Sequence, residues 1–247
     1  MPAFGLVAAA SVASLNLCTD EYLLLMAKPQ EIASVSFLSQ DPEESPLWKT
    51  ARAHRSNRGS LEDLIAAKPS LVLTMGGGGR ATSLIAGKLG IRAIDLRPVA
   101  SFDDVAANLR TVAMALGEPQ RANAWLGRLS ALRLGASSRG ADAIWISGGG
   151  QSLPVPSIGA SWLQLAGLHQ RPLPDGRVTL ESMLVHPPAV LVESKYRSGQ
   201  MSLGSAWLDH PIVRKAKSRR IVTDGRAWTC MGPLLIGEIE RLKAEMK

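Results

Sequence analysis

Apolar residues in this chain fall into short blocks set apart by polar punctuation, and the blocks alternate between strand-like and helix-like patterns. Residues 11–17 (SVASLNL) are expected to form a buried strand. Thr19 is placed to cap a helix whose first turn carries Asp20 and Glu21, charges favoured at the positive end of the helix dipole. The apolar run 22–27 carries that helix to Lys28-Pro29, and a second strand is expected at 32–37. The polar stretch 38–58 reads as irregular chain outside the core. Ser60 opens the next helix, with Glu62 and Asp63 in its first turn and Lys68-Pro69 at its end. Residues 71–75 (LVLTM) make a third strand that runs into Gly76, Gly77, Gly78, Gly79 and Arg80; a helix at 81–89 and a strand at 91–96 follow. Strand and helix alternating over short connections predict a parallel sheet covered by helices.

The middle of the chain breaks this rhythm. Ser101 caps a helix with Asp103 and Asp104 behind it and Val105, Leu109, Val112 and Leu116 on one face. Gly117 closes that helix, and Pro119 opens another over 119–134, about 24 Å long. The alternation then restarts: a strand at 141–147, the loop Gly148-Gly149-Gly150, a helix at 161–168, and a Thr179-capped helix carrying Glu181 and ending at His186-Pro187-Pro188. A strand at 189–193, short helical pieces at 206–209 and 211–216, a strand at 220–224 and a terminal amphipathic helix at 233–246 complete the chain. The expected fold is α/β: two Rossmann-like lobes with parallel sheets, 11–118 and 136–247, joined by a long rigid helix, 119–135. A ligand cleft is expected between the lobes, lined by loops at the carboxyl ends of the strands. Residues 1–10, small and apolar with an Ala-rich end but no basic start, are set aside as a candidate signal-peptide remnant.

One pattern occurs twice. Ser60-Leu61-Glu62, an apolar helix, Lys68-Pro69 and the strand from Leu71 are echoed by Thr179-Leu180-Glu181, an apolar helix, Pro187-Pro188 and the strand from Val190. Each half thus carries a cap, a carboxylate in the first turn, a helix and a buried strand in the same order.

Composition narrows the function. The net charge is +7, yet zinc-finger spacing, a recognition-helix pattern and aromatics interleaved with basic residues are all missing, so nucleic acid is not the expected partner. An anionic ligand or an acidic surface suits the charge better. Six Trp against two Tyr and three Phe suggest flat surfaces for a ligand, with core packing the other reading of each. Trp48 and Trp228, in loop-like contexts, are the first candidates. Cys18 and Cys230 are compatible with one bridge, with thiols near a ligand, or with plain buried residues. The glycine run and the loop 194–199 bring backbone N–H groups, Arg80, Tyr196 and Arg197 toward a ligand, if they are more than tight turns.

In the order and spacing of these motifs the sequence resembles the helical-backbone periplasmic binding proteins of ABC importers, which capture cobalamin, ferric siderophores or haem. The resemblance rests on Val12 to Glu21, on Leu61-Glu62 through Pro69-Ser70-Leu71-Val72, on Ile158-Gly159, on Leu180-Glu181, on Arg220-Ile221-Val222 and on Gly232-Pro233. It implies an exported, periplasmic, monomeric protein that is not an enzyme and holds no cofactor of its own. It implies a metal-chelate ligand, with Asn16, Cys18, Thr19, Trp48, Gly77, Gly78, Arg80, Tyr196, Arg197 and Trp228 as cleft candidates. It also implies that Glu62 and Glu181 dock on basic sockets of the two permease subunits, chemistry that an exposed carboxylate performs well.

Two other functions find less support in the residues. An enzyme on a doubly wound fold lacks support: the glycine run is not G-x-G-x-x-G, there is no P-loop, and Gly159-Ala160-Ser161-Trp162-Leu163 fails the nucleophile-elbow pattern. A receptor for bare zinc or manganese needs several His and carboxylate ligands, and His54, His169, His186 and His210 are scattered.

Overall fold

The computed structural model describes residues 11–77, 80–137, 139–196, 207 and 209–246. The segment 1–10, Gly78 and Arg197 lie outside the described residues. The chain divides into two compact units, one comprising residues up to Pro98 with Asp103–Ala124, the other Val99–Phe102 with Trp125–Lys247.

The first unit is built on a five-stranded parallel sheet of β1 (Val12–Ser14), β2 (Ile32–Ser36), β3 (Ser56–Asn57), β4 (Leu71–Met75) and β5 (Arg92–Leu96), in the order β3-β2-β1-β4-β5. Its helices are α1 (Leu17–Met26), α2 (Trp48–Ala51), α3 (Leu61–Ala67), α4 (Arg80–Lys88) and α5 (Phe102–Ala115), the last starting at a residue of the second unit. Val105, Leu109 and Val112 of α5 are buried, as the apolar face predicted.

Two expectations are corrected here. The first helix is capped by Asn16, not Thr19: Asn16 has extended backbone, and its Oδ1 accepts the Thr19 N–H at 3.0 Å. The stretch 38–58 is not outside the core, for it supplies α2 and the edge strand β3 and buries Ser39, Ser45, Ala51 and Asn57. Ala51 and Leu47 pack against Leu24, Val35 and Ile32, and side-chain hydrogen bonds tie the rest of the stretch down. Gln40 Nε2 donates to the Ala51 and His54 carbonyls, and Asn57 Nδ2 donates to the Ser14 carbonyl and Ser34 Oγ.

A 3₁₀ turn, Pro119–Ala122, leads into α6 (Asn123–Leu134), and the division between the units falls inside α6. Arg121 anchors that turn to the first unit. Its guanidinium grips the Glu31 carboxylate at 2.5 and 2.9 Å and donates to the Met26 carbonyl.

The second unit holds a four-stranded parallel sheet of β6 (Ala141–Ile146), β7 (Leu168–Gln170), β8 (Val190–Lys195) and β9 (Arg219–Asp224), ordered β7-β6-β8-β9. Leaving aside β3, this is the strand order of the first unit. The helix expected at 161–168 is α7 (Ile158–Leu165), capped by Ser157, and Leu168 already belongs to β7. Gly167, at φ +80, turns the chain between them, a conformation glycine adopts without strain. α8 (Leu180–Val185), α9 (Pro211–Lys215) and α10 (Leu234–Glu245) complete the unit. Its core gathers Ile144, Ile146, Val178, Met183, Leu191 and Val213. Trp162 is fully buried, meets the edge of Phe102 at 4.8 Å and donates its indole N–H to the Met231 carbonyl.

The repeated pattern proves to be one structural motif used twice. Ser60 Oγ and Thr179 Oγ1 each accept the backbone N–H three residues on, both at 3.1 Å, and each capped helix leads into the strand beside the first strand of its sheet.

Candidate functional site

In a parallel α/β sheet the carboxyl ends of the strands carry loops and helix starts whose groups are free of the ladder, so ligand chemistry collects there. In the first unit this edge presents Asn16 after β1, Phe37 after β2, Arg58 after β3, Gly76 and Gly77 after β4, and Arg97 after β5. Phe37 is 50% exposed, unusual for an aromatic side chain. Arg58 and Arg97 are exposed, and among the described residues neither guanidinium pairs with a carboxylate. An exposed ring and two uncommitted cations on one sheet edge suit a ligand with an apolar face and anionic groups. Sequence reading missed all three. Phe37 reads as the last residue of a strand, and Arg58 ends a stretch that reads as irregular chain.

Several predicted residues have structural work instead. Thr19 is buried, hydrogen-bonded to Ser14 Oγ and to Asn16, so these residues form the cap of α1. Cys18 is half-buried in the first turn of the same helix. The Gly77 N–H donates to the Asp95 carboxylate at 3.0 Å and the Gly76 N–H to the Leu96 carbonyl, so this part of the glycine run is a closed turn rather than an anion cradle. Arg80 is the first residue of α4. Trp48 is half-buried on α2, with the Arg52 guanidinium 4.6 Å and the Lys49 ammonium 5.5 Å from its ring centre, so cations on and at the end of its own helix already engage the ring.

Beneath this edge lies a carboxylate that the sequence pattern marks only as a first-turn helix charge. Asp20 is completely buried and accepts hydrogen bonds from the Ser36 N–H and hydroxyl. Burial pushes its carboxyl up to about 7 despite those bonds, which act the other way. The signal was present in the sequence: an α1 that is apolar on every side must bury its acids too.

In the second unit the equivalent edge presents Ser147 after β6, Tyr196 after β8 and the 3₁₀ turn Gly225–Trp228 after β9. Tyr196 is half-buried. A Cβ on Gly225 would come within 2.8 Å of the Tyr196 backbone, so glycine is what lets the two loops meet. Trp228 is only 3% exposed. Its ring tilts against Trp145 at 5.5 Å and its N–H reaches Thr223 Oγ1, which makes it a packing residue and not an open stacking face. Glu62 and Glu181 are both exposed in the first turns of α3 and α8.

No protein-family model matches the sequence, and no curated protein matches it significantly. Solved structures do. A periplasmic haem-binding protein from Pseudomonas aeruginosa shares 19% identity over 96% of this chain and 92% of its own, with a TM-score of 0.67. The periplasmic haem-binding protein of Vibrio cholerae superimposes with a TM-score of 0.74 over 95% of this chain and 98% of its own, at 14% identity. The fold is that of the periplasmic binding proteins. The periplasmic vitamin B12-binding protein of Vibrio cholerae also has this periplasmic-binding-protein fold, at TM-score 0.64, 18% identity and 96% of both chains. These neighbours are binding proteins rather than enzymes. Among the described residues no helix of this chain is long and apolar enough to cross a membrane.

Proposed function

We propose that this protein is the substrate-binding component of an ABC importer, exported to the periplasm, which captures a metal chelate and passes it to a membrane permease without transforming it. The observation that carries the ligand class is the first unit's strand-end edge, where exposed Phe37 stands in the same row as Arg58 and Arg97. A flat apolar chelate with carboxylates matches that set, which favours haem over cobalamin and over a ferric siderophore. Asn16 and Tyr196 are further candidate contacts. The haem- and B12-binding neighbours support the same class of ligand.

The test is titration of the purified protein with haem, cyanocobalamin and a ferric catecholate, read by Trp fluorescence and by the ligand's absorbance. Saturable haem binding without turnover is expected, weakened roughly tenfold by Arg58→Ala or Arg97→Ala, the size of one charged hydrogen bond. Failure of all three ligands to bind would sink the proposal.

Delivery is assigned to Glu62 and Glu181, one exposed carboxylate on each copy of the repeated motif. Reversing both charges, Glu62→Lys with Glu181→Lys, should abolish uptake by cells while leaving ligand affinity unchanged. Uptake that persists in the double variant would remove the docking role.

A further inference from the structure

Each docking carboxylate has an apolar companion at the same offset. On α3 the residue three positions after Glu62 is Ile65, 53% exposed; on α8 the residue three positions after Glu181 is Leu184, 67% exposed. Three residues is the spacing at which helix side chains lie side by side. The intervening positions behave alike as well, since Leu64 and Met183, each two residues after its glutamate, are buried and seat their helices on the cores. Two sheets with different cores therefore keep the same outward pair, an acid beside a large aliphatic side chain. Packing explains the buried position and leaves the exposed one unexplained.

The apolar surface extends onto the neighbouring helix in each unit. α4, packed beside α3, exposes Leu84 and Ile85, and Leu89 just past its end is exposed as well. In the second unit α8 and α9 enclose a groove of about 500 Å³ lined by Leu184, Pro187, Ile212, Lys215 and Lys217 among others. Among the described residues neither lysine is paired with a carboxylate.

We infer that Glu62 with Ile65, and Glu181 with Leu184, form two equivalent docking faces for one kind of partner, a membrane permease subunit whose basic socket is bordered by an apolar side chain. The occupant follows from complementarity. A carboxylate calls for a cation, the aliphatic neighbour calls for apolar area beside that cation, and a face made twice calls for a partner that offers its socket twice. In the second unit the partner's apolar side chain enters the groove at Leu184, and Lys215 and Lys217 favour acidic groups around the socket. The inference rests on the importer reading and adds to it the apolar half of the contact.

A photo-crosslinking amino acid at position 65 or 184, presented to membrane vesicles of the source cell, should capture the same integral-membrane subunit from both positions, and nothing from exposed Met114. Ile65→Ser and Leu184→Ser should each weaken association with those vesicles roughly tenfold, the effect of burying one aliphatic side chain, with ligand binding intact. If Glu62→Lys with Glu181→Lys abolishes association while the serine variants leave it unchanged, the apolar contact is refuted and the importer reading stands. If the unaltered protein associates with no permease, both fall together.

Discussion

Arg121→Met is expected to lower the stability of the protein by about 3–5 kcal/mol, the usual result of stranding a buried charge. The Arg121 and Glu31 side chains are 11% and 7% exposed, and the guanidinium holds the carboxylate through two parallel bonds. The arginine pulls the Glu31 carboxyl below the usual range, and the two glutamates hold the guanidinium charged. Removing the cation leaves Glu31 buried without its counter-ion and frees the Met26 carbonyl. Glu118, the half-buried third member, keeps its partner Lys28 at 2.8 Å and contributes little to the penalty. Replacing both partners, Arg121→Met with Glu31→Leu, should recover most of the loss, because apolar groups need no counter-charge. Urea unfolding of the two variants measures the difference. The penalty should also shrink in acid. Glu31 has a depressed folded pKa, so the stability it contributes is present above its unfolded value of 4.5 and is lost as pH falls through the folded one. A single variant as stable as the double variant at neutral pH would show that the pair carries no such weight.

The parts of the fold that could be read from sequence are those where several local signals agree. Ser60 and Thr179 announce helices because a hydroxyl cap, an acid in the first turn, an apolar helix and a following proline all point the same way, and both caps form. The edge strand β3 and the strand β7 were missed because two or three residues are too few to show an alternation, and only pairing with a neighbour makes them strands. That gap propagated to the site. Without β3, Arg58 had no place on the sheet, and without the end of β2, Phe37 looked like one more strand residue. Trp48 and Trp228 drew attention by residue type, whereas their availability depends on partners, Arg52 for one and Trp145 with Thr223 for the other. Residue type and loop context do not reveal whether a ring is already engaged.

Asp20→Asn should change how stability depends on pH more than any other substitution considered. The carboxyl, completely buried, rises from 3.8 to about 7 because burial disfavours its charge. Between those values the folded protein keeps a proton that the unfolded chain has released. Stability therefore falls as pH rises from about 4 to 7, by roughly 4 kcal/mol in all, and is flat above the folded pKa. His54 acts in the opposite direction: burial lowers its pKa, so its contribution favours the folded state as pH rises toward 6.5. Asparagine at position 20 leaves His54 in place and so isolates the aspartate. Its Oδ1 can still accept the Ser36 N–H and its amide can donate to Ser36 Oγ, two of the groups that surround the acid. At pH 4, where the parent still keeps nearly all of that stability, the variant and the parent should unfold at similar urea concentrations; at pH 8 the variant should be the more stable by several kcal/mol. Ser36 leads directly into Phe37, so the unpaired charge that forms at high pH sits behind the residue proposed to meet the ligand. Parallel pH profiles for the two proteins would mean that Asp20 ionises without cost, and that its burial is relieved in a way this packing does not provide.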